Sequence, residues 1–150
     1  MKKIVSSNYY IWIGENSLSK LNVKSYSKVA ILVDENTKKG HDYAARVFVV
    51  KKTGATPLSN RAMNYVFSSN NDVNTYHPSP FTKKSIDYVL STTKEKFNQW
   101  VTVKVNVRDH FKKFHDLDLD KINGVAIMSD TDNSKMKAIA YYQNIYFSEK

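Results

Sequence analysis

The chain has 150 residues, enough for one ordinary domain, and its 41% apolar and 25% charged content is that of a folded protein, far from the composition of disordered chains. Cysteine is absent, which excludes disulfide frameworks, thiolate metal sites and cysteine nucleophiles. The formal charge of +9 comes from lysines scattered in pairs (Lys2-Lys3, Lys38-Lys39, Lys51-Lys52, Lys83-Lys84, Lys112-Lys113) with three arginines, Arg46, Arg61 and Arg108, so it reads as a solubilising surface, and specific nucleic-acid binding is not expected.

The opening Met1-Lys2-Lys3-Ile4-Val5 is basic, but Ser6, Ser7 and Asn8 break its apolar run short of a signal peptide, and no later stretch is long enough to span a bilayer. A cytoplasmic chain with no membrane partner is expected. Tyr9 to Ile13, closed by Gly14, reads as a strand, and Asn16 or Ser17 can cap a short helix over Leu18 to Leu21. Lys28 to Asp34 is an uninterrupted apolar run ending in a carboxylate, the pattern of a strand covered on both faces. After Lys38-Lys39-Gly40 short strands separated by polar loops follow, near Tyr43 to Val50, Arg61 to Phe67, Phe81 to Leu90, Trp100 to Val107, Val125 to Ser129 and Ala138 to Phe147. Only Asp109 to Phe114 has a helical look. Without crossover helices these strands predict antiparallel pairing. The fold class expected is mainly β, an antiparallel, jelly-roll-like β-sandwich with a short helix, preceded by a β-β-α-β fragment.

Tyr10-Ile11-Trp12-Ile13-Gly14-Glu15-Asn16-Ser17-Leu18, followed by Val29 to Thr37, resembles the amino terminus of 3-dehydroquinate synthase, the shikimate-pathway enzyme that uses NAD and a divalent metal. That resemblance implies a cofactor role for Asp34 and Asn36, at the end of a strand where a carboxylate can accept from ribose hydroxyls. Asp and Asn also serve as caps and turn residues whatever the ligand. The family's glycine-rich phosphate segment and histidine constellation have no counterpart here: Gly14, Gly40, Gly54 and Gly124 each stand alone.

From Gly40 to Phe147 the chain resembles an uncharacterised bacterial family, domain of unknown function 3047. The resemblance is carried by Asp42 to Val50, Ala62 to Phe67, Gln99-Trp100-Val101 and Gly124 to Asn133. It implies a β-sandwich, often exported in relatives, with no established activity. Two modules are therefore expected, residues 1–38 and 39–150, joined as a chimera.

Asp130-Thr131-Asp132-Asn133 gathers oxygen ligands after an apolar strand, as a cation or polar ligand requires, although such residues also make turns with their own backbone. Asp116, Asp118 and Asp120 alternate, but no glycine stands at the sixth loop position and Ile127 occupies the place of the bidentate acid, so no EF-hand is formed. Arg46 shares a strand face with Ala44, Phe48 and Val50, opposite Val47 and Val49. A guanidinium there needs a carboxylate or ligand partner, and Asp42, Asp130 and Asp132 are the candidates. His41, His77, His110 and His115 form no metal-binding pair, and no nucleophile elbow or phosphate loop exists. No catalytic residue, metal or cofactor is expected.

The function expected is a non-catalytic β-sandwich binding or interaction module. Carbohydrate is a candidate ligand through aromatics such as Tyr76, Tyr141, Tyr142 and Tyr146, which core or edge packing explains equally well, and self-association through an open sheet edge is a second candidate. The alternative, carried by residues 1–38 alone, is an inactive fragment of an NAD-linked lyase.

Overall fold

A computed structural model describes residues 10–13, 34–92, 94, 100–135, 138, 140–142 and 144–148. The chain is mainly β. Strands β1 (Tyr10–Ile13), β2 (Ala45–Lys51), β3 (Arg61–Ser68), β4 (Tyr76–Ser79), β5 (Thr82–Thr92), β6 (Val103–Asn106), β7 (Gly124–Met128) and β8 (Tyr146–Ser148) accompany one helix, α1 (Val107–His115). They form a five-stranded sheet, β4-β5-β3-β2-β7, and a three-stranded sheet, β6-β1-β8.

The strand expected from the opening aromatic run is β1, and it lies antiparallel between β6 and β8. The helix expected over Leu18 to Leu21 and the strand expected over Lys28 to Val33 lie outside the described residues.

Antiparallel pairing is corrected at one ladder. β3 and β5 run parallel, with Ala62 opposite Ser85 and Val66 opposite Val89. A parallel pair needs a crossover, which the sequence was expected to lack because no helix follows β3. Residues 69–81 supply it through β4, a strand that the sequence reading did not place, running antiparallel on the far side of β5. The strand expected over Trp100 to Val107 is cut to four residues because Asn106 caps α1. Its side chain accepts from the Asp109 backbone N–H at 3.2 Å. The strand expected from Ala138 is confined to Tyr146–Ser148, and Asn144, at φ 53°, turns the chain just before it.

The five-stranded sheet has two unlike faces. Alternation places Val47, Val49, Met63, Tyr65 and Ile86 on one of them, where they pack in one cluster with Val105 of β6, Val107 and Phe111 of α1, and Leu119. The other face carries Arg46, Asn64 and Asp87, all at most 4% exposed. There the apolar contribution is Tyr43, Val66 and Val89. Segment 34–43 crosses this polar face, and it is this crossing that assembles the candidate site. At one edge β7 leaves Val125, Ile127 and Met128 exposed. Among the described residues no helix is long and apolar enough to cross a membrane.

Candidate functional site

The centre of the polar face is Asp87, which is 0% exposed at the middle of β5. Its Oδ1 accepts from Asn64 Nδ2 on β3 at 2.6 Å, and its Oδ2 lies 2.5 Å from His41 Nε2. His77 Nδ1 stands 3.7 Å from the same oxygen. The other nitrogen of His41 faces Arg46 Nη1 at 3.4 Å. Because a guanidinium can only donate, His41 Nδ1 accepts there, and Nε2–H is left to donate to Asp87.

Arg46 binds two further acceptors through Nη2, the His41 carbonyl at 2.6 Å and Asp130 Oδ2 at 2.8 Å. Its guanidinium carbon lies 4.7 Å from the centre of the Tyr43 ring, a cation–π contact within a desolvated site. Tyr43 in turn meets His77 Nε2 at 3.1 Å. Burial, reinforced by the Asp87 carboxylate, pushes the Tyr43 hydroxyl far above its ordinary range, so it stays protonated and donates to that nitrogen. Of the three candidate partners for Arg46, the structure brings Asp130 to it.

Asp42 has a different task. Its carboxylate accepts from the backbone and side-chain nitrogens of Asn133 at 3.3 and 2.8 Å and from the Ser134 backbone N–H at 2.5 Å. It therefore caps the turn closed by Lys135 N–H on the Thr131 carbonyl. Burial alone would raise the Asp42 carboxyl, but the donors of Ser134, Asp130 and Asn133 outweigh it and hold it well below the usual range. Asp130 moves the other way, to about 6, because burial and the neighbouring Asp42 outweigh the pull of Arg46.

Asp42, Asp130 and Asp132 bring carboxylate oxygens within 4.8 Å of one another. The group does not fit a cation well. Both oxygens of Asp42 are engaged by loop donors, one oxygen of Asp130 holds a guanidinium, and Asp132 Oδ1 accepts from Asn133 Nδ2. Asn133 serves the turn.

Asp34 and Asn36 lie exposed in a tight turn. Asp34 Oδ1 accepts from the Asn36 backbone N–H at 3.0 Å, and its carbonyl accepts from Thr37 N–H at 3.0 Å. The residue between them is the buried one. Glu35, 2% exposed, accepts from Ser69 N–H and Oγ at 2.7 and 2.6 Å, from Asn71 Nδ2 at 3.1 Å and from Ser68 Oγ. It stitches the turn to the end of β3.

Sequence reasoning missed Glu35, His41, Asn64 and Asp87. Asp87 carried a signal of the same kind as Arg46: a charge in mid-strand, in register with Ser85 and Val89 and flanked by Ile86 and Tyr88. His41 and Glu35 sit in a polar loop, where no periodicity reveals burial. Of the two readings of Tyr142, stacking or packing, the structure supports packing. Tyr142 accepts from Arg46 N–H at 2.9 Å and donates to the Met128 carbonyl at 2.6 Å, bridging β2 and β7.

The buried pair His41–Asp87 has the composition of a catalytic dyad but lacks its access. His41 is 3% exposed, and its second nitrogen is occupied by Arg46, so no substrate proton can reach it without dismantling the network. At the rim lies Phe81, 58% exposed, its ring edge-on to His41 at 5.4 Å with Lys38 Nζ 5.9 Å from its centre.

Among protein families, the one described as "Protein of unknown function (DUF3047)" matches residues 25–146. The matched span opens upstream of the 38/39 boundary read from the sequence. No curated protein and no solved structure matches the chain.

Proposed function

The chain belongs to the DUF3047 family of proteins of unknown function, and from that premise we propose that it is a non-catalytic binding module whose ligand is a carbohydrate. One observation carries the reading: Phe81 offers an exposed aromatic ring edge-on to His41, at the rim of a buried polar network in which Arg46 Nε, Asn64 Oδ1 and Asp130 Oδ1 still lack a hydrogen-bond partner. Sugar recognition uses such rings because the C–H face of a pyranose packs on an apolar plane while its hydroxyls need fixed polar neighbours. Here the polar neighbour of the ring is Lys38, whose Nζ lies 5.9 Å from its centre. The buried charges serve to hold the platform still, which spares a ligand the cost of ordering it.

Titration of the intact chain against a panel of neutral and charged oligosaccharides tests the reading. Binding to at least one of them that Phe81→Ala weakens, with the melting temperature unchanged, supports it. A panel without binding, or binding indifferent to Phe81, refutes it.

A further inference from the structure

The turn that follows β7 meets segment 34–43 through two acids. Asp42 and Asp130, both half-buried, bring carboxyl oxygens within 4.8 Å of each other, with the exposed Asp132 as the third member of the group. The backbones are joined beside them, where the Asp130 N–H donates to the Tyr43 carbonyl at 3.3 Å. Two carboxylates placed so close and partly out of water cannot both keep their charge without a cation or a proton between them. The engaged oxygens of this group suit a cation poorly, which leaves the proton.

The hydrogen bonds decide which acid carries it. Asp42 accepts from the backbone N–H and Nδ2 of Asn133 and from the Ser134 N–H. A carboxyl that collects three N–H donors is held in its ionised form. Asp130 Oδ2 accepts from Arg46 Nη2, whereas its Oδ1 is buried and, among the described residues, lacks a partner. An ionised oxygen in that position loses its hydration and gains nothing in exchange. Once protonated, the same oxygen becomes a donor with Asp42 as its acceptor, and the hydrogen bond between the two side chains lowers Asp42 and raises Asp130. Arg46 from β2 favours the charge on Asp130, while Asp42 from the crossing segment and Asp132 from the turn oppose it. His41 reaches Asp130 only through Arg46, and the Tyr43 hydroxyl turns away to His77.

We propose that Asp42 and Asp130 share one proton and form an acid-closed latch that fastens the turn 130–135 to segment 34–43. With the proton in place, Asp130 Oδ1–H donates to Asp42 while Oδ2 keeps Arg46. Without it, two like charges face each other and Oδ1 has no partner. The latched segment carries His41 into the buried network and Lys38 to Phe81, so the proton sets how firmly this crossing lies on the sheet. The device is independent of any ligand that the face binds. Asp130 is raised to about 6 from its ordinary 3.8, so its contribution to stability is complete below 3.8 and is lost as pH rises through about 6.

The test is carbon-detected NMR of the aspartate side chains in the full chain between pH 4 and 8, with melting of the wild type and of Asp130→Asn over the same range. The Asp130 carboxyl is expected to titrate near 6, and the Ser134 amide, which donates to Asp42, should shift with it. Asparagine keeps the shape of the protonated acid, donating permanently to Asp42 through Nδ2 and accepting from Arg46 through Oδ1. In that variant the Ser134 amide should lose its transition. Its melting temperature, taken relative to the wild type, should rise between pH 4.5 and 7.5. Asp42→Ala, which removes the like charge, should lower the Asp130 midpoint; if that variant loosens the turn, Asp130→Asn decides alone. A wild-type Asp130 that titrates in the ordinary carboxylate range overturns the latch. So does a difference in melting temperature between wild type and Asp130→Asn that stays constant with pH.

Discussion

Arg46 illustrates how one residue can be read before the fold is known and still be misjudged in detail. Its place on an apolar strand face demands a partner, and Asp130 meets it at 2.8 Å with Arg46 itself 4% exposed. Removing one member of a buried pair leaves the other uncompensated, so Arg46→Ala is expected to cost about 3–5 kcal/mol. Chemical denaturation of the variant checks this, and an unchanged midpoint would contradict the pairing. Arg46→Met, which keeps volume but still strands Asp130, should cost less than alanine. The Asp34-Glu35-Asn36 turn makes the opposite point. Its two outer residues were singled out by resemblance to a dinucleotide enzyme, yet the buried anchor is Glu35. Asp34→Ala should leave the melting temperature nearly unchanged while Glu35→Ala lowers it. Calorimetry with NAD should register no binding in the intact chain, because the backbone cradle that a pyrophosphate needs is missing from the glycine pattern.

At the scale of elements, α1 docks on the apolar sheet face through Val107 and Phe111, and it also carries two half-buried histidines. His110 stacks on Tyr88 at 4.4 Å and meets the Tyr65 hydroxyl at 3.2 Å, and burial lowers its pKa from 6.5 to about 4. His115 is lowered as well, chiefly by burial, while holding the Ala62 carbonyl at 3.0 Å. Between pH 6.5 and about 4 the unfolded chain therefore binds protons that the folded chain refuses. The contribution of these two histidines to stability should fall as pH falls through that window, while Asp130, raised to about 6, acts in the opposite direction. Melting followed between pH 7.5 and 4.5 checks the slope, and His110→Phe should flatten it. A slope unchanged in that variant would place the acid sensitivity elsewhere, with His115 the next group to examine because its lowered pKa acts in the same direction and the same window.

For the whole molecule the decisive contact is between the start of the chain and its end. β1 pairs with β6 through Tyr10 to Ile13 and with β8 through Tyr10 to Trp12, so it is the middle strand of the smaller sheet. Glu35, also within the first 38 residues, is held by Ser68, Ser69 and Asn71. A chain deleted of residues 1–38 would leave β6 and β8 with open edges, which invite association. It should melt lower and run larger than a monomer in size-exclusion chromatography. A truncated chain that remains monomeric with the same melting temperature would mean that the opening segment is a passenger.

The sequence alone was sufficient for the mainly β character, for α1 and for the buried state of Arg46, because alternation and capping are local and act through neighbours two to four residues apart. It was also enough to exclude cysteine chemistry and the nucleophile and phosphate motifs, which depend on residues simply being present. It could not reveal the parallel β3–β5 ladder, since β4 closes that crossover from the far side of β5 and no local pattern records which strand will be inserted between two others. Nor could it reveal the network of His41, Arg46, Asn64, Asp87 and Asp130. Those residues come from a loop, three strands and a turn, and the burial that makes their charges consequential arises only when segment 34–43 is laid across the sheet.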